Sequence, residues 1–150
     1  MLGLEPHPTC GFVTETYRSP LKIPSEALPK AYDEGGRPYG SALYFLVSPD
    51  AQIVMHRIHS DQLYHHYMGD PLEVLMLYPD RTGAVATVGS DLAGGKRPQL
   101  FVPGDTFHTS RLLAPGDSGY ALLASTEWPG VEPPDVEHGN VEDPFPEMDV

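Results

Sequence analysis

The sequence predicts an all-β fold in a single domain, an antiparallel barrel with little helix. Seventeen prolines and fifteen glycines divide the 150 residues into short segments, so no apolar repeat of helical spacing continues for three turns without a breaker. Short runs rich in Val, Leu, Tyr and Phe recur instead, separated by turn sequences. This alternation of short strands and turns is typical of a β-sandwich or β-barrel.

The predicted strands are the apolar and β-branched runs Ser41–Val47, Gln52–Ile58, Leu63–Tyr67, Glu73–Tyr78, Ala84–Val88, Gln99–Val102, Thr106–Leu112 and Tyr120–Thr126. Turn sequences such as Gly69-Asp70-Pro71 and Pro103-Gly104-Asp105 separate them. The segment from Pro24 to Gly36 interrupts this rhythm, and its prolines and glycines favour a loop over a helical turn.

Composition narrows the classes of function. The single cysteine, Cys10, excludes an internal disulfide, and together with an N-terminus that lacks a basic, apolar leader it predicts a cytoplasmic protein. No run approaches the roughly 18 apolar residues of a membrane span. The net charge of −12, with only nine Lys and Arg, argues against a nucleic-acid partner, because such surfaces need clustered cations.

The negative charge is concentrated near the C-terminus. Eight acidic residues and no Lys or Arg follow from Glu127 onward. We therefore predict a folded domain at 1–140 and an acidic, proline-containing tail at 141–150, irregular or disordered because it has few apolar groups to bury. Truncation after Asn140 is expected to leave folding intact.

Two segments resemble the signature motifs of the cupin superfamily. The first cupin motif is HxH, three or four residues, Glu, six residues and Gly, and those positions are held by His56, Ile58, Gln62 and Gly69. The second is PxG, two residues and His, where Pro103 and His108 match and Asp105 replaces glycine. The resemblance implies a cupin, an antiparallel double-stranded β-helix, also called a jelly-roll barrel.

The chain is more closely similar to one uncharacterised cupin family, domain of unknown function 985. The matching segments are Pro6-His7-Pro8, Glu15-Thr16-Tyr17-Arg18-Ser19, His56-Arg57-Ile58, Ser60-Asp61, His65, Tyr67, Gly69-Asp70-Pro71-Leu72, Pro98-Gln99 and Val102-Pro103. This family resembles the sugar-nucleotide epimerase type of jelly roll, which implies a homodimer with one pocket per barrel. The segment Phe12–Ser19 is expected to pair with a neighbouring sheet edge in that dimer.

Strand alternation selects the side chains that face into the barrel. Residues two apart share a face, so Gln62, Tyr64 and His66 are expected inside and His65 outside. The same rule is expected to place Gln99 with Phe101, and Thr106 with His108 and Ser110, on inner faces. We predict that His56 and His108 face each other, surrounded by Gln62, Tyr64, His66, Gln99 and Tyr120, with Arg57 as a further ligand-binding residue.

A metal site is one hypothesis for these residues. The resemblance to cupins implies a divalent iron, nickel, zinc, copper or manganese ion held by His56, His108 and His66, with the Gln62 amide as a weak ligand. Two of the usual ligands are absent, because Ile58 and Gln62 replace a histidine and a glutamate. The alternative without metal makes His56 and His108 ligand-binding groups or general bases, with Tyr64 or Tyr120 as the acid.

Three functions remain open at this point. The leading one is an isomerase, epimerase or lyase that acts on a carbohydrate-like or polar acid substrate by histidine-mediated proton transfer. The alternatives are a metal-dependent oxygenase and a non-catalytic protein that binds a small ligand.

Overall fold

Short strands bounded by proline, glycine and aspartate turns make up most of the molecule, as these residue types favour. The computed structural model describes residues 1–32, 35–113 and 116–139. The strands of the larger sheet, sheet A, are β1 (Glu5–His7), β2 (Gly11–Arg18), β5 (Ser41–Val47), β7 (Asp61–Gly69), β10 (Gln99–Val102) and β12 (Ala121–Trp128). The strands of sheet B are β6 (Ile53–Arg57), β8 (Leu72–Leu77), β9 (Gly83–Val88), β11 (Phe107–Leu112) and β13 (Glu137–His138). A small ribbon consists of β3 (Lys22–Ile23) and β4 (Arg37–Pro38).

The two sheets have the crossed connections of a jelly roll. Sheet A has the order β1-β2-β5-β12-β7-β10, and sheet B has the order β13-β6-β11-β8-β9. The paired strands run antiparallel. Apolar residues on the inner faces of both sheets form one core, with Phe45 and Leu123 from sheet A and Leu72 and Val74 from sheet B. The predicted all-β barrel is thereby confirmed.

Strand positions agree closely with the prediction. Ser41–Val47 and Gln99–Val102 form strands with the predicted bounds, and the strand predicted at Leu63–Tyr67 extends further in both directions. Within the segment predicted as a loop, Ser25–Ala27 forms a single 3-10 turn. The only other helical turn in the described ranges is Pro133–Asp135.

The segment Phe12–Ser19 lies largely in β2 of sheet A. On one side β2 pairs with β5 along most of its length, and on the other side β1 covers only Gly11, Phe12 and Val13. The pairing of this segment with a second copy stays a prediction.

The turn before β11 explains the departure from the second cupin motif. A Cβ at Gly104 would collide with the carbonyl of His59, so this position needs glycine. Asp105 adopts a φ of 63°, a left-handed conformation that aspartate tolerates better than most residues. Its carboxylate lies 2.6 Å from Nδ1 of His59, which stabilises the turn.

No helix in the described residues has both the length and the apolar character needed to cross a membrane. The predicted acidic tail, 141–150, lies outside the described residues.

Candidate functional site

A cavity of about 360 Å³ lies between the two sheets. This volume is within the range of small-molecule sites. The polar and charged side chains that line it are His7, Thr9, Cys10, Glu15, Arg18, Ser41, His56, Gln62, Tyr64, Ser125, Glu127, Glu132 and His138. Apolar side chains such as Phe45, Ile53 and Ile58 complete the wall.

Glu127 is a buried carboxylate in this cavity. It lies near the end of β12 and is only 5% exposed. Ser41 donates a hydrogen bond of 2.7 Å to one carboxylate oxygen, and Ser125 donates one of 2.8 Å to the other. Burial raises the pKa of Glu127 to about 7, although both serine hydroxyls act in the opposite direction. The carboxyl group therefore changes its charge near neutral pH.

His56 reaches the cavity through a β-bulge. In the pairing of β6 with β11, His56 lies opposite His108 but Ile53 lies opposite Ser110, so β6 has one extra residue between the two pairs. This irregularity lets Ile53 and His56, three residues apart, both line the cavity. The His56 ring nitrogen Nδ1 lies 2.7 Å from the carbonyl oxygen of Val54.

His56 and His108 lie side by side, as predicted, with ring centroids 4.4 Å apart. His108 is fully buried and contacts the carbonyl of Thr106 through Nδ1 at 2.9 Å. Because a carbonyl oxygen can only accept, each ring carries its proton on Nδ1 and has a lone pair on Nε2.

Both histidines are neutral at physiological pH. Burial lowers the pKa of His56 to about 3, and the neighbouring His108 contributes to the decrease. Burial lowers the pKa of His108 to about 4. Neither ring is solvated enough to hold a second proton near neutral pH.

Gln62 and Tyr64 face inward beside the histidine pair, as strand alternation predicts. The Gln62 side-chain nitrogen lies 3.4 Å from Nε2 of His108 and is placed to donate to it. The Tyr64 ring lies 5.9 Å from the His108 ring. Burial raises the pKa of Tyr64 well above its ordinary value, so its hydroxyl remains a hydrogen-bond donor.

His66 faces inward as predicted but lies away from the histidine pair. It does not line the cavity, and its Nε2 lies 2.9 Å from the carbonyl oxygen of Asp70. His65 faces the outer side, where its ring contacts Thr126 and Gln99. Adjacent strand residues thus lie on opposite faces, as expected.

The residues of the cavity do not fit the predicted metal site. Without His66, the donors near His56 and His108 reduce to two imidazoles and the Gln62 amide. Among the described residues, no three His, Cys, Asp or Glu side chains are grouped so that they could hold a metal ion. This donor set lacks the carboxylate of the mixed shells that cupins use.

Three other predicted ligand-binding residues lie outside the cavity. Gln99 is exposed on the outer face, because Leu100 and Val102 occupy the inner positions of β10. Tyr120 precedes β12 and contacts the loop at Asp70 through its backbone carbonyl. Arg57 lies outside the barrel, where it pairs with Glu137 at 2.8 Å and covers the Phe107 ring.

The segment 131–135, here called the strap, contributes Val131, Glu132 and Pro133 to the cavity wall. Arg18 donates to the Glu132 carboxylate at 2.7 Å and to the Val131 carbonyl at 3.2 Å. The Val131 amide donates to the Ser41 hydroxyl at 3.1 Å. A buried ion pair between Arg37 and Asp135 fixes the far end of the strap.

The two ends of the described chain form another part of the wall. The Thr9 hydroxyl lies 2.8 Å from Nε2 of His138, and His138 pairs with His56 across β13 and β6. His7 and His138 line the cavity from opposite ends of the chain.

The comparisons with known proteins agree with this architecture. A family model described as "Cupin superfamily (DUF985)" matches residues 1–139. The chain is also 28% identical over 135 residues to the uncharacterized protein YML079W of Saccharomyces cerevisiae. That match covers 84% of this chain and 65% of the yeast protein, so the chain spans less than two thirds of this curated relative.

Two solved structures are similar over most of their length. A hypothetical protein from Leishmania major has a TM-score of 0.80 at 28% identity, covering 91% of this chain and 81% of that chain. Protein SO0799 from Shewanella oneidensis has a TM-score of 0.79 at 28% identity, covering 93% and 80%. Oxalate decarboxylase from Bacillus subtilis, at 11% identity and a TM-score of 0.57 over 87% of this chain and 28% of its own, shares the fold alone.

Proposed function

This chain belongs to the cupin superfamily, in the family DUF985, and we propose that its barrel binds a small hydroxyl-bearing molecule and transfers a proton through Glu127. The reaction class is isomerisation or epimerisation of a carbohydrate-like carbonyl compound. The observation that carries this proposal is the buried Glu127 carboxylate in the cavity wall, held by the Ser41 and Ser125 hydroxyls, and its raised pKa of about 7 supports the proposal.

A general base is most effective when its pKa lies near the working pH. Glu127 meets this condition because its carboxylate is buried, yet both oxygens are held by serine hydroxyls. In the proposed step, ionised Glu127 removes a proton from the carbon beside the substrate carbonyl. The electron pair of that C–H bond forms the C=C bond of an enediolate as the carbonyl π pair moves to its oxygen. Return of the proton to the other face of the same carbon gives the epimer. Return of the proton to the adjacent carbon gives the isomer, with the proton of the substrate hydroxyl passing to the former carbonyl oxygen.

Tyr64 and His56 have complementary parts in this step. Tyr64 stays protonated, so its hydroxyl is available to donate to the oxygen on which negative charge develops. His56 stays neutral with a lone pair on Nε2, so it is suited to accept a hydrogen bond from a substrate hydroxyl. The proton transfer is therefore assigned to the carboxyl group, in place of the histidines.

Deuterium exchange tests this proposal without requiring the natural substrate. The protein is incubated in D₂O with dihydroxyacetone, D-fructose, D-xylulose and D-galacturonate, and proton NMR follows exchange at the carbon beside the carbonyl. We expect catalysed exchange with at least one ketose and its loss in E127Q. The matched control is E137Q, the same change in the outer Arg57–Glu137 pair.

Undiminished exchange in E127Q would refute the role of Glu127. Saturable binding of a probe with no exchange in the wild type would instead identify a non-catalytic binding protein, the second reading of this cavity. That reading is favoured by the enclosed, largely apolar wall around Phe45, Ile53 and Ile58.

A further inference from the structure

Arg18 is the only Lys or Arg among the described residues that line the cavity. It is the last residue of β2. A guanidinium group presents five N–H donors in a planar fork suited to a carboxylate or phosphate. On chemistry alone, Arg18 would make the cavity a site for anionic ligands.

The protein's own acceptors already occupy most of this fork. Nε and Nη2 donate to the two oxygens of Glu15 at 3.0 and 2.8 Å. Nη1 donates to Glu132 at 2.7 Å, and Nη2 also donates to the Val131 carbonyl. Four donated bonds leave one N–H, so the bidentate geometry that a ligand carboxylate prefers is not available.

Glu132 is held in place by more than its contact with Arg18. Exposed ion pairs alone contribute little, about 0–1 kcal/mol. However, the backbone amide of Glu132 donates to Asp135 at 2.9 Å, and Asp135 is fixed by its buried pair with Arg37. An incoming anion would have to displace a carboxylate whose backbone is anchored at the strap.

The charges around the opening act in the same direction. Glu15 and Glu132 outnumber Arg18, Glu127 adds negative charge when ionised, and His56 is neutral. A ligand anion in this cavity is therefore repelled by the carboxylates and must also compete with them for Arg18.

We propose that Glu132 is a specificity-determining residue that occupies Arg18 and so reserves the cavity for uncharged, hydroxyl-bearing molecules. This inference rests on the proposed function and narrows its ligand from carbohydrate-like or polar acid compounds to neutral carbohydrate-like ones. Removal of the Glu132 charge weakens the hydrogen bond from Nη1 of Arg18, because a neutral amide oxygen accepts less strongly than a carboxylate, and lets a ligand carboxylate compete for this nitrogen.

The test compares D-galactose with D-galacturonate, which differ only in the group at C6. Titrations of the wild type, E132Q and E137Q follow the NMR signal of the Arg18 Nε–H group together with affinity. We expect galacturonate to bind E132Q about tenfold or more tightly than the wild type, the size of effect of a hydrogen bond to a charged group. The Arg18 signal should shift with galacturonate in E132Q only, and E137Q should behave as the wild type.

The inference would be overturned if galacturonate had the same affinity for the wild type and E132Q, or if it did not shift the Arg18 signal in E132Q. If E132Q fails to fold by circular dichroism, E15Q replaces it, because Glu15 occupies the other edge of the same fork. One outcome is that the Arg18 Nε–H signal shifts with galacturonate in E132Q alone while the wild type exchanges no proton of a ketose. That pair of results would uphold the role of Glu132 and refute the proton-transfer function. The two failures are thereby distinguished.

Discussion

Glu127 faces Gln62 directly across the pairing of β12 with β7, and Ser41 lies opposite Glu127 on its other side. The first cupin motif has glutamate at the position of Gln62, and here a glutamate stands on the adjacent strand instead. The cavity thus still contains a carboxylate, but this carboxylate belongs to a residue of β12 and accepts hydrogen bonds from two serines. Among the described residues, Glu127 is not part of a group of three or more His, Cys, Asp or Glu side chains that could hold a metal ion.

We expect Ser41→Ala to raise the pKa of Glu127 further above about 7. The hydroxyl stabilises the charged carboxylate, and its loss favours the protonated form. Carbon-detected NMR titration of the glutamate side chains measures the change. Thr126→Val, on the outer face of the same strand, is the control and should leave the midpoint where it is.

Stability should fall as the pH is lowered from about 6.5 toward 4. His56 and His108 have folded-state pKa values of about 3 and 4, below the unfolded value of about 6.5. The unfolded chain therefore binds protons that the folded chain does not, and the free energy of unfolding decreases by up to about 1.4 kcal/mol per pH unit for each histidine. Urea unfolding at several pH values measures this slope.

Glu127 acts in the opposite direction in part of this range. Its pKa is raised from 4.5 to about 7, so its contribution to stability is complete below about 4.5 and is lost as the pH rises through 7. The histidine slope is therefore measured in E127Q. A pH-independent unfolding free energy in E127Q between pH 6.5 and 4 would contradict the burial of neutral histidines.

Asp135→Asn should destabilise the protein by about 3–5 kcal/mol, because it removes one charge of the buried Arg37–Asp135 ion pair. Glu137→Gln breaks the exposed pair with Arg57 and should lower the free energy of unfolding by about 1 kcal/mol or less. Chemical denaturation compares the two. Equal effects would mean that the strap is not anchored by this pair.

We propose that the protein is a homodimer that uses the outer face of sheet A. Tyr67 and Phe101 are each about half exposed there, and Tyr67 makes an edge contact with Tyr44. Exposed aromatic residues on one sheet face are typical of an interface. Light scattering should give about twice the chain mass of 16.4 kDa, and a double change of Tyr67 and Phe101 to Glu should halve it.

A monomeric wild type at micromolar concentration would contradict the dimer. Val85→Glu, which adds charge at an exposed position of sheet B, is the control and should leave the mass unchanged.

Sequence alternation predicts part of the site well. Gln62 and Tyr64 lie inside because β7 has no irregularity between them. Gln99 was placed inside wrongly, since Leu100, Phe101 and Val102 form a continuous apolar run that does not identify a buried face. The bulge that turns His56 inward cannot be recognised from the residue types around it. The cupin motif is what predicts His56 as a site residue.

Glu127 was missed for a different reason. The predicted strand ends at Thr126, and Glu127 is the first of the acidic residues that concentrate negative charge near the C-terminus. Extension of the strand by two residues puts Glu127 on the same face as Leu123 and Ser125, but the apolar run before Ser125 does not identify which face is inside. Arg18 and Glu132 meet across more than one hundred residues of chain, a contact that local pattern does not encode.

The contact between Thr9 and His138 also bears on how the protein folds. It joins positions 129 residues apart, and closure of so long a loop carries a large entropy cost that later contacts must offset. During synthesis, sheet strands can pair before β13 leaves the ribosome, but the cavity wall at His138 cannot exist until then. Ligand binding is therefore expected only after β13 has been synthesised.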